Sequence, residues 1–98
     1  MKELRFLLPA EVEMTEAALY YEACAARLGE RFLAAVELGT EQIRENPETW
    51  PHVGSGIQRY LLPQFPYSLL YRNDQDEIVI IAVMHQKQRP YYWIDRCA

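Results

Sequence analysis

The sequence contains little that would stabilise a secreted protein or anchor one in a membrane. Its 98 residues include two cysteines, Cys24 and Cys97, which we expect to be free thiols because no secretory context is apparent. The first residues mix charged and apolar side chains, unlike a signal peptide. The longest apolar run, Ile78 to Met84, is far shorter than the ~20 residues that cross a bilayer as a helix. We therefore expect one soluble, cytoplasmic domain covering residues 1–98, without membrane contact.

Metal-ligand spacing is also missing. The two histidines, His52 and His85, form no H-x-x-x-H pair, and the two cysteines form no C-x-x-C pair. We expect the chain to bind no metal and to need no other cofactor.

The chain has no excess of basic residues. Its formal net charge is −4, with ten Lys and Arg against fourteen Asp and Glu. Residues 1–51 hold five basic and ten acidic side chains, whereas residues 52–98 hold five and four. Because basic side chains supply most of the affinity for phosphate backbones, nucleic acid is not the expected main ligand. We expect no direct DNA binding by this chain alone.

The hydrophobic pattern predicts an α+β fold with the order β-α-α-β-β-β, in which a helical hairpin packs on a small, mostly antiparallel sheet. Pro9 is expected to end the first strand, Gly29 to cap the first helix, and Gly39 to mark close packing of the two helices. The predicted elements are a strand at 4–8, helices at about 10–28 and 30–45, a loop at 49–56, and strands at 57–62, 67–72 and 77–84.

Acidic residues on the first predicted helix fall largely outside its apolar stripe. We interpret them as a solvated helix face, a role expected for Glu11, Glu13, Glu16 and Glu22.

The most informative part of the sequence follows the last strand. Ile78–Met84 is rich in β-branched residues and predicts a strand buried on both faces. One imidazole, two cations, two phenols and an indole follow it within residues 85–93. Pro90 fixes its own φ and restricts the residue before it, so these groups gather on a stiff segment. This arrangement predicts a recognition or catalytic surface at the end of the sheet.

The string H-x-x-x-R-P-x-Y-W in residues 85–93 resembles the RelE/ParE superfamily of small toxins from bacterial type II toxin–antitoxin modules. Similar features occur in family order from about Leu4 to Arg96. They include Tyr20-Tyr21-Glu22, Leu28-Gly29, Asn46-Pro47-Glu48, Arg59-Tyr60-Leu61-Leu62 and Phe65-Pro66-Tyr67. The resemblance therefore covers nearly the whole chain and implies the toxin fold.

The RelE branch of this superfamily cleaves mRNA on the ribosome without metal. Such a reaction needs a cationic clamp for the developing phosphorane charge and groups that transfer protons. The resemblance suggests Arg59 and Arg89 as the clamp, with His85 or Tyr92 in acid–base roles. However, residues 52–58 contain no lysine or arginine, whereas active RelE-type toxins carry several there.

The ParE branch instead inhibits DNA gyrase and needs no catalytic set. Its members resemble this chain in lacking the basic clamp while keeping an aromatic C-terminal end. We therefore expect a ParE-like toxin that poisons gyrase, inhibits growth, belongs to a plasmid-stabilisation type of module and is not an enzyme. An mRNA endoribonuclease acting at the ribosome and a non-toxic co-repressor of the same fold remain the alternatives.

The resemblance also implies a cognate antitoxin, whose C-terminal segment would add a helix or strand to the toxin. Two surfaces are open for it: the outer face of the helical hairpin, and the sheet surface near Arg59, Arg72 and Arg89. Three candidates also have structural alternatives, namely His85 as a hydrogen-bonded structural residue, Arg59 as an ion-pair partner and Trp93 as core. The candidate target- or antitoxin-binding residues are Arg59, Arg72, His85, Lys87, Arg89, Tyr92, Trp93 and Arg96.

Overall fold

Two helices pack against a five-stranded mixed sheet in the computed structural model, which describes residues 1–97. The strands are β1 (Glu3–Phe6), β2 (His52–Gly54), β3 (Ile57–Leu61), β4 (Tyr67–Asn73) and β5 (Glu77–His85). The helices are α1 (Leu8–Cys24) and α2 (Leu28–Glu45), and a short 3₁₀ helix covers Ile94–Cys97. The α+β class and the predicted order are confirmed, with one additional short strand, β2.

The sheet has the spatial order β1-β5-β4-β3-β2, and its pairs are antiparallel except for β1 and β5. The predicted burial of β5 on both faces is confirmed, since Ile78–Ala82 are fully buried. The inner face, which carries Tyr60 and Leu69, packs on the helices. The outer face, which carries Leu70 and Val79, packs on residues that follow β5.

The boundary between β1 and α1 differs from the prediction. Pro9 does not end the strand but occupies the first turn of α1, which begins at Leu8. Proline is well accommodated there, because the N–H groups of a first helical turn have no intrahelical acceptor. The strand consequently ends at Phe6, two residues earlier than predicted.

Gly29 lies inside α2 and does not cap α1, so its predicted role is wrong. A Cβ atom at this position would stand 2.5 Å from the carbonyl oxygen of Ala18, which explains why only glycine fits. Its N–H donates to Oε1 of Glu22 at 3.0 Å, and the second carboxylate oxygen accepts from the Arg27 N–H at 2.9 Å. Glu22 therefore stabilises the start of α2.

Gly39 marks a close approach, but between α2 and the sheet and not between the two helices as predicted. A Cβ atom here would lie 2.9 Å from Cε1 of Tyr60 and 3.1 Å from Cδ1 of Leu69. The absence of a side chain thus lets α2 settle directly on β3 and β4.

The predicted loop at 49–56 contains the strand β2. Ser55 and Gly56, with φ angles of 55° and 74°, form a two-residue connection to β3. Two consecutive positive φ angles are typical of the type I′ turn that matches the twist of a hairpin. The sequence prediction missed this strand because three residues are too few to show periodicity.

Candidate partner-binding site

The residues after β5 fold back across the outer face of the sheet. Hydrogen bonds close successive turns, with the Gln88 N–H donating to the His85 carbonyl and the Ile94 N–H donating to the Tyr91 carbonyl, each at 3.0 Å. This return buries Trp93, which is 2% exposed and belongs to the outer-face core. Of the two roles open to Trp93, the core role is confirmed.

The carboxylate of Glu13 fixes this segment to helix α1. Its Oε2 accepts from the Tyr92 hydroxyl at 2.6 Å, and the Arg96 guanidinium donates to both carboxylate oxygens at 2.9 and 3.1 Å. Its Oε1 also accepts from the Val83 N–H at 3.0 Å. The interpretation of Glu13 as part of a solvated helix face is therefore wrong, since this side chain is 21% exposed.

The Glu13 network lies where strand pairing stops. Strand β1 pairs with β5 only as far as Ile80, and β5 bulges at Ile81. Beyond that point the Val83 N–H is bonded by Glu13, and the Ile81 carbonyl accepts from Arg96 at 3.2 Å. The two side chains thus satisfy backbone groups that a longer β1 would otherwise have paired.

Burial and the Glu13 carboxylate keep Tyr92 protonated. Burial raises the pKa of Tyr92, and its hydrogen bond to Glu13 raises it further. The hydrogen bond to the same carboxylate raises the pKa of Arg96, whose guanidinium also lies 5.1 Å from the centre of the Tyr92 ring. Tyr92 and Arg96 are therefore committed to an internal ion-pair network.

A cavity of about 280 Å³ opens between the outer face and the returning segment. We call it the Arg59 cavity, because the Nε atom of Arg59 is buried there without a hydrogen-bond partner. Among the ion pairs within residues 1–97, none involves Arg59. The lining residues are Val53, Arg59, Leu70, Met84, Gln86, Gln88, Pro90, Tyr91 and Trp93.

The other predicted cations lie outside this cavity. Arg72 Nε stands 2.9 Å from the carboxylate of Asp74, which lies in the turn after β4. Lys87 and Arg89 are exposed on the returning segment. The candidate binding residues are therefore spread over several places, and Arg59 is the only one with a charged group facing the cavity.

The sequence matches a known protein family over most of its length. The family described as "ParE toxin of type II toxin-antitoxin system, parDE" matches residues 4–90. The chain belongs to the ParE toxin family. The predicted superfamily and its ParE-like branch are thus confirmed, and membership of a toxin–antitoxin family implies a cognate antitoxin.

A solved structure supports the ParE fold. A chain of the chromosomal ParDE TA system from P. aeruginosa superposes with a TM-score of 0.63 at 21% sequence identity. The match covers 87% of this chain and 96% of the other. No curated protein matches the sequence. Within residues 1–97 of this ParE-family chain, no helix is long and apolar enough to span a bilayer.

The four groups proposed for an mRNA nuclease are not brought together in this ParE-family fold. His85 and Tyr92 line a depression beside α1, together with Glu13. Arg59 lines the cavity on the outer face, which has only Gln88 in common with this depression, and Arg89 lines neither. The His85 Nδ1 accepts from the Lys87 N–H at 3.0 Å, and its ring packs edge-on against Tyr67.

Sequence reasoning missed Glu13, which was treated as one of several similar surface acids. It gave no individual role to Gln88 or Tyr91, although Tyr91 is one of the two phenols in the predicted surface. Tyr91 has a φ angle of 59°, which is strained for a bulky side chain. No local sequence signal identifies Glu13, because its partners Tyr92 and Arg96 lie 79 and 83 residues away in the sequence.

Proposed function

We propose that this ParE-family toxin inhibits DNA gyrase, catalyses no reaction of its own, and is neutralised by its cognate antitoxin. The observation that carries the proposal is the separation of the nuclease candidates. Arg59 lies in the outer-face cavity, whereas His85 lies beside α1, and Tyr92 is hydrogen-bonded to Glu13. A general acid and base must reach the same reacting group, so this arrangement favours a binding function.

The charge distribution supports a protein target over an RNA backbone. The hairpin of β2 and β3 presents no lysine or arginine at residues 52–58, directly before Arg59. Of the eight candidate binding residues, two cations are already paired, Arg72 with Asp74 and Arg96 with Glu13. Few charges are therefore left to neutralise phosphates, which RNA binding requires.

We place the antitoxin on the helical hairpin. Leu19 on α1 and Leu33 on α2 are 67% and 41% exposed, and both line a shallow groove that also contains Gly29. Exposed leucines on neighbouring helices suit the apolar face of an amphipathic segment. This surface lies on the far side of the helices from the Arg59 cavity.

The gyrase proposal is tested by inducing the toxin alone in a bacterial host. We expect filamentous cells with DNA-damage signalling, and restored growth when the antitoxin is supplied together with the toxin. The Arg59→Gln variant should weaken growth inhibition, whereas Arg31→Gln, an exposed arginine on α2, should not. Soluble protein levels must be matched between strains, because a poorly expressed variant also loses toxicity.

The alternative functions predict different phenotypes in the same experiment. Rapid translation arrest with cleaved transcripts, abolished by Arg89→Ala, would favour the nuclease. Healthy growth with abundant soluble toxin would favour the non-toxic co-repressor. Either result contradicts gyrase inhibition.

The antitoxin surface is tested by affinity measurements with the purified partner. Leu19→Glu should weaken binding strongly, because it places a charge in the proposed apolar groove. Joint substitution of Arg59, Arg72 and Arg89 by glutamine should leave the affinity nearly unchanged. The opposite pattern would move the antitoxin to the sheet surface.

A further inference from the structure

The Arg59 cavity has the composition of a small-ligand site. Its floor is the outer face of the sheet, formed by Val53, Leu70 and Met84 around Arg59. Its wall is the returning segment, which contributes Tyr91 and the buried ring of Trp93. The volume of about 280 Å³ is close to the lower end of the roughly 300–1,000 Å³ range of ligand pockets.

The charge of the cavity lining favours a negatively charged ligand. Arg59 is the only titratable cation among its lining residues, and no acidic residue lines it. The Arg59 Nε is shielded from solvent and has no hydrogen-bond partner, which leaves a buried donor unsatisfied. Leaving a buried donor unpaired is unfavourable, so an acceptor that reaches this guanidinium is favoured.

The wall of the cavity is held in a strained conformation. Tyr91 combines a φ angle of 59° with a bulky aromatic side chain, a conformation that the surrounding structure must impose. Its ring packs on Trp93 with 5.6 Å between ring centres. Tyr91 and Arg59 line the same cavity, and strained residues of this kind concentrate at binding sites.

We propose that the Arg59 cavity binds a monoanionic carboxylate carried on an apolar or aromatic body. A guanidinium presents parallel N–H donors that match the two oxygens of a carboxylate. The single cation balances one negative charge, so a phosphate dianion would be undercompensated. The body of the ligand would contact Leu70, Met84 and Trp93. Both this inference and the gyrase proposal involve Arg59, but their tests are separate, because one measures ligand binding to the purified chain and the other measures growth inhibition.

The proposal is tested with the ¹⁵N-labelled full chain by nuclear magnetic resonance. The probes are 3-phenylpropanoate, its neutral analogue 3-phenylpropanamide, acetate and inorganic phosphate. Trp93 lines the cavity, whereas Trp50 packs against Tyr60 on the inner face, so their indole N–H signals form an internal comparison. We expect 3-phenylpropanoate to shift the Trp93 signal saturably and to leave the Trp50 signal in place.

Two variants and a matched control separate binding from folding. Arg59→Gln removes the cation and should weaken 3-phenylpropanoate binding about tenfold or more. Gln88→Glu keeps the cation but adds a negative charge to the wall, and should weaken binding similarly while leaving the backbone spectrum folded. Gln75→Glu makes the same change in the exposed turn between β4 and β5 and should bind like the parent.

A second arm identifies the source of the carboxylate. A capped peptide with one glutamate between apolar residues is compared with 3-phenylpropanoate. Tighter binding of the peptide indicates an acidic side chain of a protein partner, whereas tighter binding of the free acid indicates a small metabolite; both support a carboxylate site. Equal affinity for the amide and the acid, stronger binding of phosphate, or no Trp93 shift at millimolar probe concentrations would overturn the proposal.

Discussion

The Tyr92 hydroxyl donates a 2.6 Å hydrogen bond to Oε2 of Glu13, across 79 residues of sequence. The same carboxylate receives the guanidinium of Arg96 and the N–H of Val83. One acidic side chain on α1 therefore holds the residues after β5 over the outer face of the sheet. Those residues form one wall of the Arg59 cavity, so the network also shapes the candidate binding site.

Glu13→Ala should destabilise the fold by about 2–4 kcal/mol, because it leaves a charged guanidinium, a phenol and a backbone N–H without their shared acceptor. The measurement is the free energy of unfolding from urea titration. Glu16→Ala removes an exposed acid one turn along the same helix and should stay within about 0.5 kcal/mol of the parent. Equal effects of the two substitutions would show that the network adds no stability.

Ionisation of Tyr71 should lower the free energy of unfolding at alkaline pH. Burial raises the pKa of Tyr71 to about 12 from the ordinary 10.0, and its hydroxyl donates to the Pro47 carbonyl at 2.6 Å. Because the folded state holds this proton more tightly than the unfolded state, the contribution is intact below pH ~10 and is lost as the pH rises towards 12.

Tyr71→Phe tests this origin of the alkaline loss. At neutral pH the variant should be about 1 kcal/mol less stable, since it lacks the hydrogen bond from the hydroxyl, while the Pro47 carbonyl still accepts from Nε2 of Gln58 at 2.8 Å. Between pH ~10 and ~12 its free energy of unfolding should decline less steeply than that of the parent. Parallel declines in both proteins would assign the effect to other groups.

Trp93→Ala should unfold or strongly destabilise the protein, by about 3–5 kcal/mol, because it empties the core of the outer face. Tyr91→Ala, two residues earlier and 56% exposed in the parent, should cost less than about 1 kcal/mol. Thermal unfolding of the two variants gives the comparison. A stable Trp93→Ala protein would argue that the returning segment is not part of the core.

Gly39→Ala should not stabilise the fold, although alanine favours helices more than glycine does. The added methyl would meet Tyr60 at 2.9 Å, and overpacking of this kind costs about 1–3 kcal/mol. The gain in helix propensity is about 1 kcal/mol, so the net effect is unfavourable or close to zero. Glu37→Ala on the exposed side of α2 is the control, and a clear increase in the stability of Gly39→Ala would contradict the close contact.

The fold was predictable because its long elements have strong periodic patterns. The apolar run in β5 and the pattern of α2 both survive in the structure, with Phe32, Val36 and Ile43 buried. Errors occurred where one residue type has two structural uses. Pro9 suits either the end of a strand or the first turn of a helix, and Gly29 suits either a helix cap or a close contact. Local sequence does not distinguish these uses.

The candidate site was less predictable, because it depends on contacts between distant segments. Arg59 and Trp93 were identified from the family resemblance, and both line the cavity. Glu13 was not identified, since its surroundings in the sequence are those of any exposed helical acid. Its role arises from the early end of β1 and the bulge at Ile81, which together expose backbone groups beside α1.

Inhibition of purified DNA gyrase tests the central claim most directly. The supercoiling activity of gyrase and the amount of cleaved DNA are measured at increasing ratios of toxin to enzyme, with and without the antitoxin. The account predicts loss of supercoiling and relief of this inhibition by the antitoxin. It also predicts that the Arg59→Gln toxin inhibits gyrase less than the Arg31→Gln toxin does. Normal supercoiling at a large excess of folded toxin would contradict it.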